Sequence, residues 1–535
     1  MSHYKPDPNK SVNLTIDGRP VTVPEGTTIL EAARKVNVII PTLCDCQGLG
    51  RRSVCRLCVV ECDGRDKLTA ACANDVWEGV NIVTNNARIQ SIRKTIVELL
   101  LANHPQECLS CVRNKKCELQ TLAATFGIRT SPFRRYASLQ GSAEHSQRET
   151  AAETLVRDMS KCVKCGRCVE ACQEVETVRA INTSHRSIHY EICTPYGQAL
   201  SDGPCIFCGR CAKVCPVGAI FEHDETDRAW AMLNNKEQYV VAQVSSSVGT
   251  ALEYEFELPP GTITSEKIVT ALKLMGFDLV LDAGYFRDLA IMEEGRELLD
   301  RIKSSAKLPM VSGCSPGWIN FAKGVYPDLL DHLSAGKSPQ QIFGALVKKN
   351  YPLVLGVDRS RINTVSIMPC IAKKFEARQP EANGFRDVDL VLTPQELARM
   401  IRIAGIDLCK LPVSPFDCFK SDSLYGAYQS VPASGGIMEA LLRWVYEAYT
   451  GKTITPAEFK EGRQGIKEAE VDLNGIKVKF LVVNGLANAR IIMDAIRRGD
   501  CNAAFVEIIS CPTDSSCPTD SSGPNACTVN GVLQS

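Results

Sequence analysis

The chain has 535 residues, 44% of them hydrophobic and 23% charged, with 61 Lys plus Arg against 61 Asp plus Glu. Three or four domains of about 150 residues fit that length, and the even charge balance argues against a nucleic-acid or anionic-membrane partner. The 26 cysteines are the anomaly. The N-terminus, Met1-Ser2-His3-Tyr4-Lys5-Pro6-Asp7, is polar and unlike an export signal, and no apolar run approaches the roughly 18 residues of a membrane span. Cysteines at metal-ligand spacing in such a chain predict a cytoplasmic protein with several metal clusters.

Taken in order, alternating residues from Ser11 on either side of Asp17-Gly18-Arg19 predict a β-hairpin. A helix follows from Ile29, with Thr27 or Thr28 placed to cap it. Cys44, Cys55, Cys58 and Cys72 come next, with Gly48-Leu49-Gly50 in the first gap. Hairpin, helix and a cysteine loop closed by a distant Cys resemble a plant-type ferredoxin. The spacing is closer to the version in the large electron-input subunits of respiratory complex I and multimeric iron hydrogenases. The resemblance implies a β-grasp [2Fe–2S] domain over residues 1–80 with those four cysteines as ligands. Cys46 and Cys62 fall outside the pattern; Cys46 is an alternative to Cys44, and spare small thiols are the other reading.

Residues 81–120 hold a helical repeat of apolar positions from Arg88, then His104, Cys108, Cys111 and Cys117 in an H-x3-C-x2-C-x5-C run. The run resembles the His-ligated [4Fe–4S] site of complex I and iron hydrogenases, although a Cys3His zinc uses the same residue types. Imidazole in place of a thiolate makes such a cluster less anionic and raises its potential. Residues 121–152, with Phe133-Arg134-Arg135-Tyr136, read as a polar connector.

Over 153–225 the cysteines repeat as Cys162, Cys165, Cys168, Cys172 and then Cys205, Cys208, Cys211, Cys215-Pro216. Each half is C-x2-C-x2-C-x3-C, the run of a bacterial-type 2[4Fe–4S] ferredoxin, in which the fourth Cys serves the other cluster. That assigns one cubane to Cys162, Cys165, Cys168 and Cys215, and the other to Cys205, Cys208, Cys211 and Cys172. A zinc ribbon needs two C-x2-C pairs and leaves four cysteines unexplained. Cys193 fits neither run and reads as structural.

Residues 226–535 alternate strand-like runs (at Tyr239, Phe277, Val365, Val388 and Ile476) with helical ones (Ser265 to Met275, Pro394 to Ala404, Gly436 to Tyr449). Ser265 and Thr393 are candidate N-caps, and the alternation predicts a doubly wound α/β domain. Three motifs resemble those of [FeFe]-hydrogenases: Ser312-Gly313-Cys314-Ser315-Pro316-Gly317-Trp318, Met368-Pro369-Cys370-Ile371-Ala372-Lys373, and Val506-Glu507 through Cys511-Pro512 to Ser515. With the N-terminal modules the likeness covers essentially the whole chain. It is to the large subunit of NAD-linked electron-bifurcating hydrogenases, making the chain an α/β multidomain protein with an iron-hydrogenase-like C-terminal domain.

In that family the first motif supplies a proton-donor Cys and a ligand Cys to the active-site H-cluster. Without gaps, Cys314 falls on the proton donor and Ser315 on the ligand. Cys370 falls on the second ligand, and Lys373 on a residue bonding a cyanide of the diiron unit. In the third motif Cys511 matches a ligand, but Ser515 stands for the Cys bridging cubane and diiron unit. A serine alkoxide is a hard ligand, costlier to form than a thiolate. Two such replacements predict no intact H-cluster. A variant reading keeps an ordinary cubane on Cys314, Cys370, Cys511 and Cys517. An atypical hydrogenase is the competing reading, since Cys314, Glu294, Glu297 and Ser334 match the family's proton path.

Lost H-cluster ligands resemble the hydrogenase-like subunit of Stn-type electron-bifurcating transhydrogenases. The resemblance implies one [2Fe–2S] and three [4Fe–4S] clusters here, with FMN or FAD and NAD(P) on partner subunits. The expected partners are an NADH-oxidising flavoprotein, a small [2Fe–2S] subunit and ferredoxin. A redox sensor or scaffold is the remaining alternative. No role follows from the sequence for Cys409, Cys418, Cys501 or Cys527.

Overall fold

The computed structural model describes residues 7, 9–133, 148–151, 154–304, 306–380, 384–419, 436–453, 459–463 and 465–510. In the first module β1 (Ser11–Ile16) and β2 (Arg19–Pro24) form the expected hairpin, and alternation buries Val12, Leu14 and Ile16. Thr28, not Thr27, caps α1 (Ile29–Lys35), closing a capping box with Glu31. With β3 (Val59–Cys62), β4 (Thr69–Ala70) and β5 (Asn81–Val83) the sheet runs β2-β1-β5-β3-β4, and β1 pairs with β5 in parallel. This is the β-grasp arrangement.

Next, Asn86 caps α2 (Ala87–Ala102) by accepting from the Ile89 amide. The stretch read as connector is more structured than its polarity suggested: α3 (Glu118–Thr125) runs into it, and β6 (Arg148–Ala151) lies at its end. Leu119 and Leu122 are buried, but eight residues are too few to show a clear helical period.

The third module pairs β6 with β7 (Leu155–Asp158) and carries α4 (Arg167–Glu170), which continues into a π turn over Ala171–Val175. A hairpin of β8 (Asn182–Ser184) and β9 (Glu191–Cys193) separates the two cysteine runs and holds Cys193. Then come α5 (Arg210–Val214) and β10 (Ile220–Glu222), giving a sheet of order β10-β7-β6.

The C-terminal region contains two sheets where one doubly wound sheet was expected. The first is parallel throughout, ordered β12-β11-β14-β15 from β11 (Tyr239–Val244), β12 (Leu279–Asp282), β14 (Ile362–Ile367) and β15 (Leu390–Leu392). The second runs β13-β19-β18-β17-β16, from β13 (Met310–Ser312), β16 (Lys460–Arg463), β17 (Ile466–Leu473), β18 (Ile476–Asn484) and β19 (Phe505–Ile509). It is mixed because Asn474-Gly475 joins β17 to β18 directly, both residues at positive φ (52° and 96°). That is a two-residue hairpin turn, too short for a parallel crossover.

Helices α6 (Thr226–Asn234), α7 (Val248–Phe256), α8 (Ser265–Met275), α9 (Ala283–Lys303), α10 (Pro316–Val325) and α11 (Pro339–Leu355) accompany these strands. So do α12 (Ala372–Arg378), α13 (Pro394–Ile403), α14 (Gly436–Thr450) and α15 (Leu486–Arg498). Thr264 caps α8, so Ser265 is its first residue and not the cap; Thr393 caps α13 as expected. Among the described residues no helix is long and apolar enough to cross a membrane.

A buried ion pair joins the third module to this region. Lys374 of α12, its side chain 1% exposed, lies 2.6 Å from Glu396 of α13 and 2.6 Å from the carbonyl of His223, one residue past β10. Glu396 also accepts from the Glu225 amide at 2.7 Å.

Candidate functional site

The cysteines of the first module converge. Cys44 is within hydrogen-bond reach of Cys55 and Cys72, and Cys58 of Cys72. Hydrogen bonds from Cys55 and Cys72 hold Cys44 well below the ordinary thiol range, while Cys55 and Cys72 are pushed far above it by their bonds to the other thiols. Cys44, not Cys46, makes these contacts; Cys46 lies on the side of Arg167. Cys62 is buried within β3.

In the second module Cys108, Cys111 and Cys117 are electrostatic neighbours, and His104 directly follows the C-cap Asn103 of α2. Cys108 is exposed, and Leu109 beside it is 95% exposed.

The paired runs share one backbone design. Lys164 and Phe207, each just before the second Cys of its run, have φ of 54° and 55°, and Gly166 and Gly209 have φ of 78° and 76°. These turns aim the Lys164 amide at Cys162 Sγ (3.3 Å) and the Phe207 amide at Cys205 Sγ (3.4 Å). Such amides stabilise charge on cluster sulfur. Cys162, Cys165 and Cys168 face Cys215, while Cys205, Cys208 and Cys211 line one cavity with Cys172. Burial pushes Cys162 up to about 11, and Cys165 and Cys205 up to about 12. Buried thiols clustered this way become thiolates only beside a cation, which suits an iron site. Among the described residues no three or more His, Cys, Asp or Glu side chains close around a single ion; cubane ligands each bind a different iron and stand farther apart.

The modules meet where side chains are missing. A Cβ on Gly166 would lie 2.5 Å from the Arg52 guanidinium, and one on Gly50 would lie 2.3 Å from Glu170. Arg52 and Glu170 pair across this seam at 2.7 Å. A Cβ on Gly218 would lie 2.7 Å from Cys111 Sγ, and one on Gly209 would lie 2.7 Å from Ile371, next to Cys370. Phe207 stacks on Phe375 of α12 with ring centroids 4.5 Å apart. So the first-run loop touches the first module, the segment just after Cys215 touches the second module, and the second-run loop touches the C-terminal region. The sequence alone assigns no role to these glycines, Gly50 of Gly48-Leu49-Gly50 included, or to Arg52 or Arg167; the repeated Cys-Gly-Arg-Cys is the visible signal.

At the C-terminal site, Cys314, Cys370, Lys373, Glu294 and Glu507 share one electrostatic neighbourhood. Cys314 is solvent-accessible yet enveloped by protein, and that envelopment raises its thiol to about 11 against the pull of Lys373. Lys373 Nζ lies 2.9 Å from Glu376, which also accepts from Ser338 and Gln340 at 3.0 Å each. Ser315 is buried at the N-cap of α10 without capping it; a Cβ on Gly317 would lie 3.5 Å from its Oγ and 3.6 Å from Cys208 Cβ. Glu294 accepts from Ser312, and Glu297 from Ser334 at 3.1 Å. Cys511, Ser515, Cys517 and Cys527 lie outside the described residues.

Residues 238–517 match the family described as iron only hydrogenase large subunit, C-terminal domain. The chain belongs to that family. Its hydrogenase-like region follows matches to a 2Fe-2S iron-sulfur cluster binding domain (9–87), the NADH-ubiquinone oxidoreductase-G iron-sulfur binding region (93–132) and the ferredoxin-like domain of NADH-quinone oxidoreductase subunit 3 (152–221). The chain is 39% identical over 516 residues to the NADP-reducing hydrogenase subunit HndD of Solidesulfovibrio fructosivorans, covering 94% of this chain and 87% of that one. It is 35% identical over 507 residues to iron hydrogenase 1 of Clostridium pasteurianum, covering 93% and 86%. Among solved structures, a variant of the apo [FeFe]-hydrogenase HydA1 from Chlamydomonas reinhardtii is 30% identical, covers 54% of this chain and 82% of its own, and has a TM-score of 0.48. The chain is thus an iron–sulfur subunit related to hydrogenase and NADH–quinone oxidoreductase subunits, and a member of an oxidoreductase class.

Two carboxyls in the hydrogenase-like region give it a pH signature. Burial pushes Glu507 up to about 8 and Glu294 up to about 7. Both stay protonated in the folded chain at pH values where an unfolded Glu, near 4.3, is ionised. The folded state therefore holds more protons. Their contribution to stability is complete below about pH 4.3 and is lost as pH rises through about 7 to 8. In denaturant titrations the wild-type midpoint should fall between about pH 5.5 and pH 8.5, and Glu507→Gln should flatten that fall. Identical falls in both proteins would refute the assignment.

Proposed function

We propose that the chain is the electron-transfer subunit of a cytoplasmic NADH- and ferredoxin-linked electron-bifurcating complex, a transhydrogenase reducing NADP with no hydrogen chemistry of its own. In this reading Cys44, Cys55, Cys58 and Cys72 hold a [2Fe–2S] cluster, and His104, Cys108, Cys111 and Cys117 hold a [4Fe–4S] cluster. One further cubane sits on Cys162, Cys165, Cys168 and Cys215, another on Cys205, Cys208, Cys211 and Cys172. Each cluster, when bound, exchanges one electron at a time. The chain's own residues bury the clusters, aim amides at their sulfurs and set their spacing. Two inputs meeting at the first cubane, with the second beyond it, is the order the module contacts support. The partners are a flavoprotein that oxidises NADH, a small [2Fe–2S] subunit, and ferredoxin. The NADP link draws support from the name of the Solidesulfovibrio relative.

The observation that carries this reading is Ser315. Ser315 is buried, and a Cβ on Gly317 would lie 3.5 Å from its hydroxyl and 3.6 Å from Cys208 Cβ; a cluster-binding thiolate is expected there from the family motif. An alkoxide there is too costly to form and too hard for iron. An atypical hydrogenase remains the second reading, favoured by the Glu297–Ser334 and Glu294–Ser312 bonds near Cys314. An infrared spectrum of the purified complex separates the two. The electron-transfer reading predicts no carbonyl or cyanide bands and no hydrogen exchange with methyl viologen, alongside iron for about four clusters. Bands together with exchange would establish the hydrogenase.

A further inference from the structure

Arg167 lies between Cys165 and Cys168, and its side chain is only 4% exposed. Its Nη1 and Nη2 donate to the two carboxylate oxygens of Glu118 at 2.5 and 2.8 Å, and Nη2 also donates to the Asp45 carbonyl at 2.7 Å. Asp45 stands between Cys44 and Cys46, and Glu118 immediately follows Cys117. One guanidinium thus ties together three cysteine loops from three modules. The Glu118 amide adds a further tie, donating to the carbonyl of Pro216, next to Cys215, at 3.0 Å.

The matching residue of the second run behaves differently. Arg210 lies between Cys208 and Cys211 and faces Glu176 at 3.6 Å, within its own module. The repeated motif therefore does not by itself demand an intermodule contact; Arg167 makes one. Burying a guanidinium and a carboxylate is expensive, and packed apolar residues often serve stability as well. What the charged pair adds is geometry, because a planar fork fixes both the distance and the angle of its acceptors.

We propose that Arg167 is the positioning residue that sets the mutual spacing of the [2Fe–2S], His/Cys3 and first-run cubane sites, and with it the rate of electron exchange among them. In each exchange one electron leaves a cluster, which is oxidised, and the next is reduced; no atom or proton moves. Electron tunnelling falls steeply with distance, so a slackened junction slows exchange without removing any cluster. The inference rests on the ligand assignment proposed above.

The test uses the full chain with its clusters loaded. Iron content and the paramagnetic signature of each cluster are recorded first, in wild type and in Arg167→Met and Arg167→Lys. The dipolar broadening between the [2Fe–2S] signal and the neighbouring cubane is then measured, with the rate of electron equilibration after rapid reduction. Arg167→Met should keep its clusters, weaken the broadening and slow equilibration by about ten-fold or more. Arg167→Lys keeps the charge but cannot hold Glu118 and Asp45 together, so it should not restore wild-type values. Wild-type broadening and rate in a cluster-loaded Arg167→Met would overturn the proposal. If that variant loses iron, Arg167→Lys decides: wild-type values there overturn the proposal, and weakened ones uphold it. Missing clusters in the wild-type chain would instead defeat the ligand assignment itself.

Discussion

Replacing Cys208 with Ser should remove about four iron atoms per chain, the content of one cubane, and leave the [2Fe–2S] signal intact. The Cys208 loop is enclosed: its cavity is shared with Cys172, Cys205 and Cys211, and its far side abuts Gly317 and Ile371. Burial holds the Cys208 thiol well above its ordinary range, so only a bound cation stabilises charge at that position. A serine hydroxyl is far harder to ionise than a thiol and is a poor match for iron. Ferredoxin-linked turnover should drop to background, because this is the site touching the hydrogenase-like region. Cys168→Ser, in the other cubane, should abolish turnover as well and also disconnect the two N-terminal inputs. Unchanged iron in the Cys208 variant would contradict the assignment of Cys208 as a cluster ligand.

The second large effect belongs to the Lys374–Glu396 pair. Lys374→Ala should destabilise the chain by about 3–5 kcal/mol, since the buried Glu396 carboxylate loses the ammonium 2.6 Å away. The loss should be seen first at the joint between the third module and the hydrogenase-like region. There Lys374 also holds the His223 carbonyl, and Glu396 the Glu225 amide. Limited proteolysis across residues 223–226, together with denaturant unfolding, measures both. Lys374→Met combined with Glu396→Gln should recover much of the stability, because it removes both charges and keeps an acceptor for the Glu225 amide. A single variant as stable as wild type would show that the pair contributes little.

The grouping of the cysteines was legible because thiolate chemistry forces a spacing. The C-x2-C-x2-C-x3-C runs named their members, and the structure brings Cys215 to the first run and Cys172 to the second. Helix ends were readable too: Thr393 with Glu396 is a capping box, and α8 begins and ends where its period predicted. The sheets of the C-terminal region were less legible. Asn474-Gly475 is a strong hairpin signal, but the β–α alternation around it points the other way, to parallel pairing. Arg167, Gly50 and Gly218 were invisible for a different reason. Their roles depend on what another module places opposite them, and no local pattern encodes that.

The seams between modules have a further consequence. At Gly50, Gly166, Gly209 and Gly218 the backbone is bare on one side, and Glu170, Arg52, Ile371 and Cys111 reach into the space a Cβ would fill. At each of these seams a side chain of one module occupies the space beside a bare glycine of the other. A lineage that traded one module for a looser relative would have to refit that side chain and its glycine as a pair. The modules look like separable parts in the sequence, but at these contacts they are cut to each other and constrained to change together.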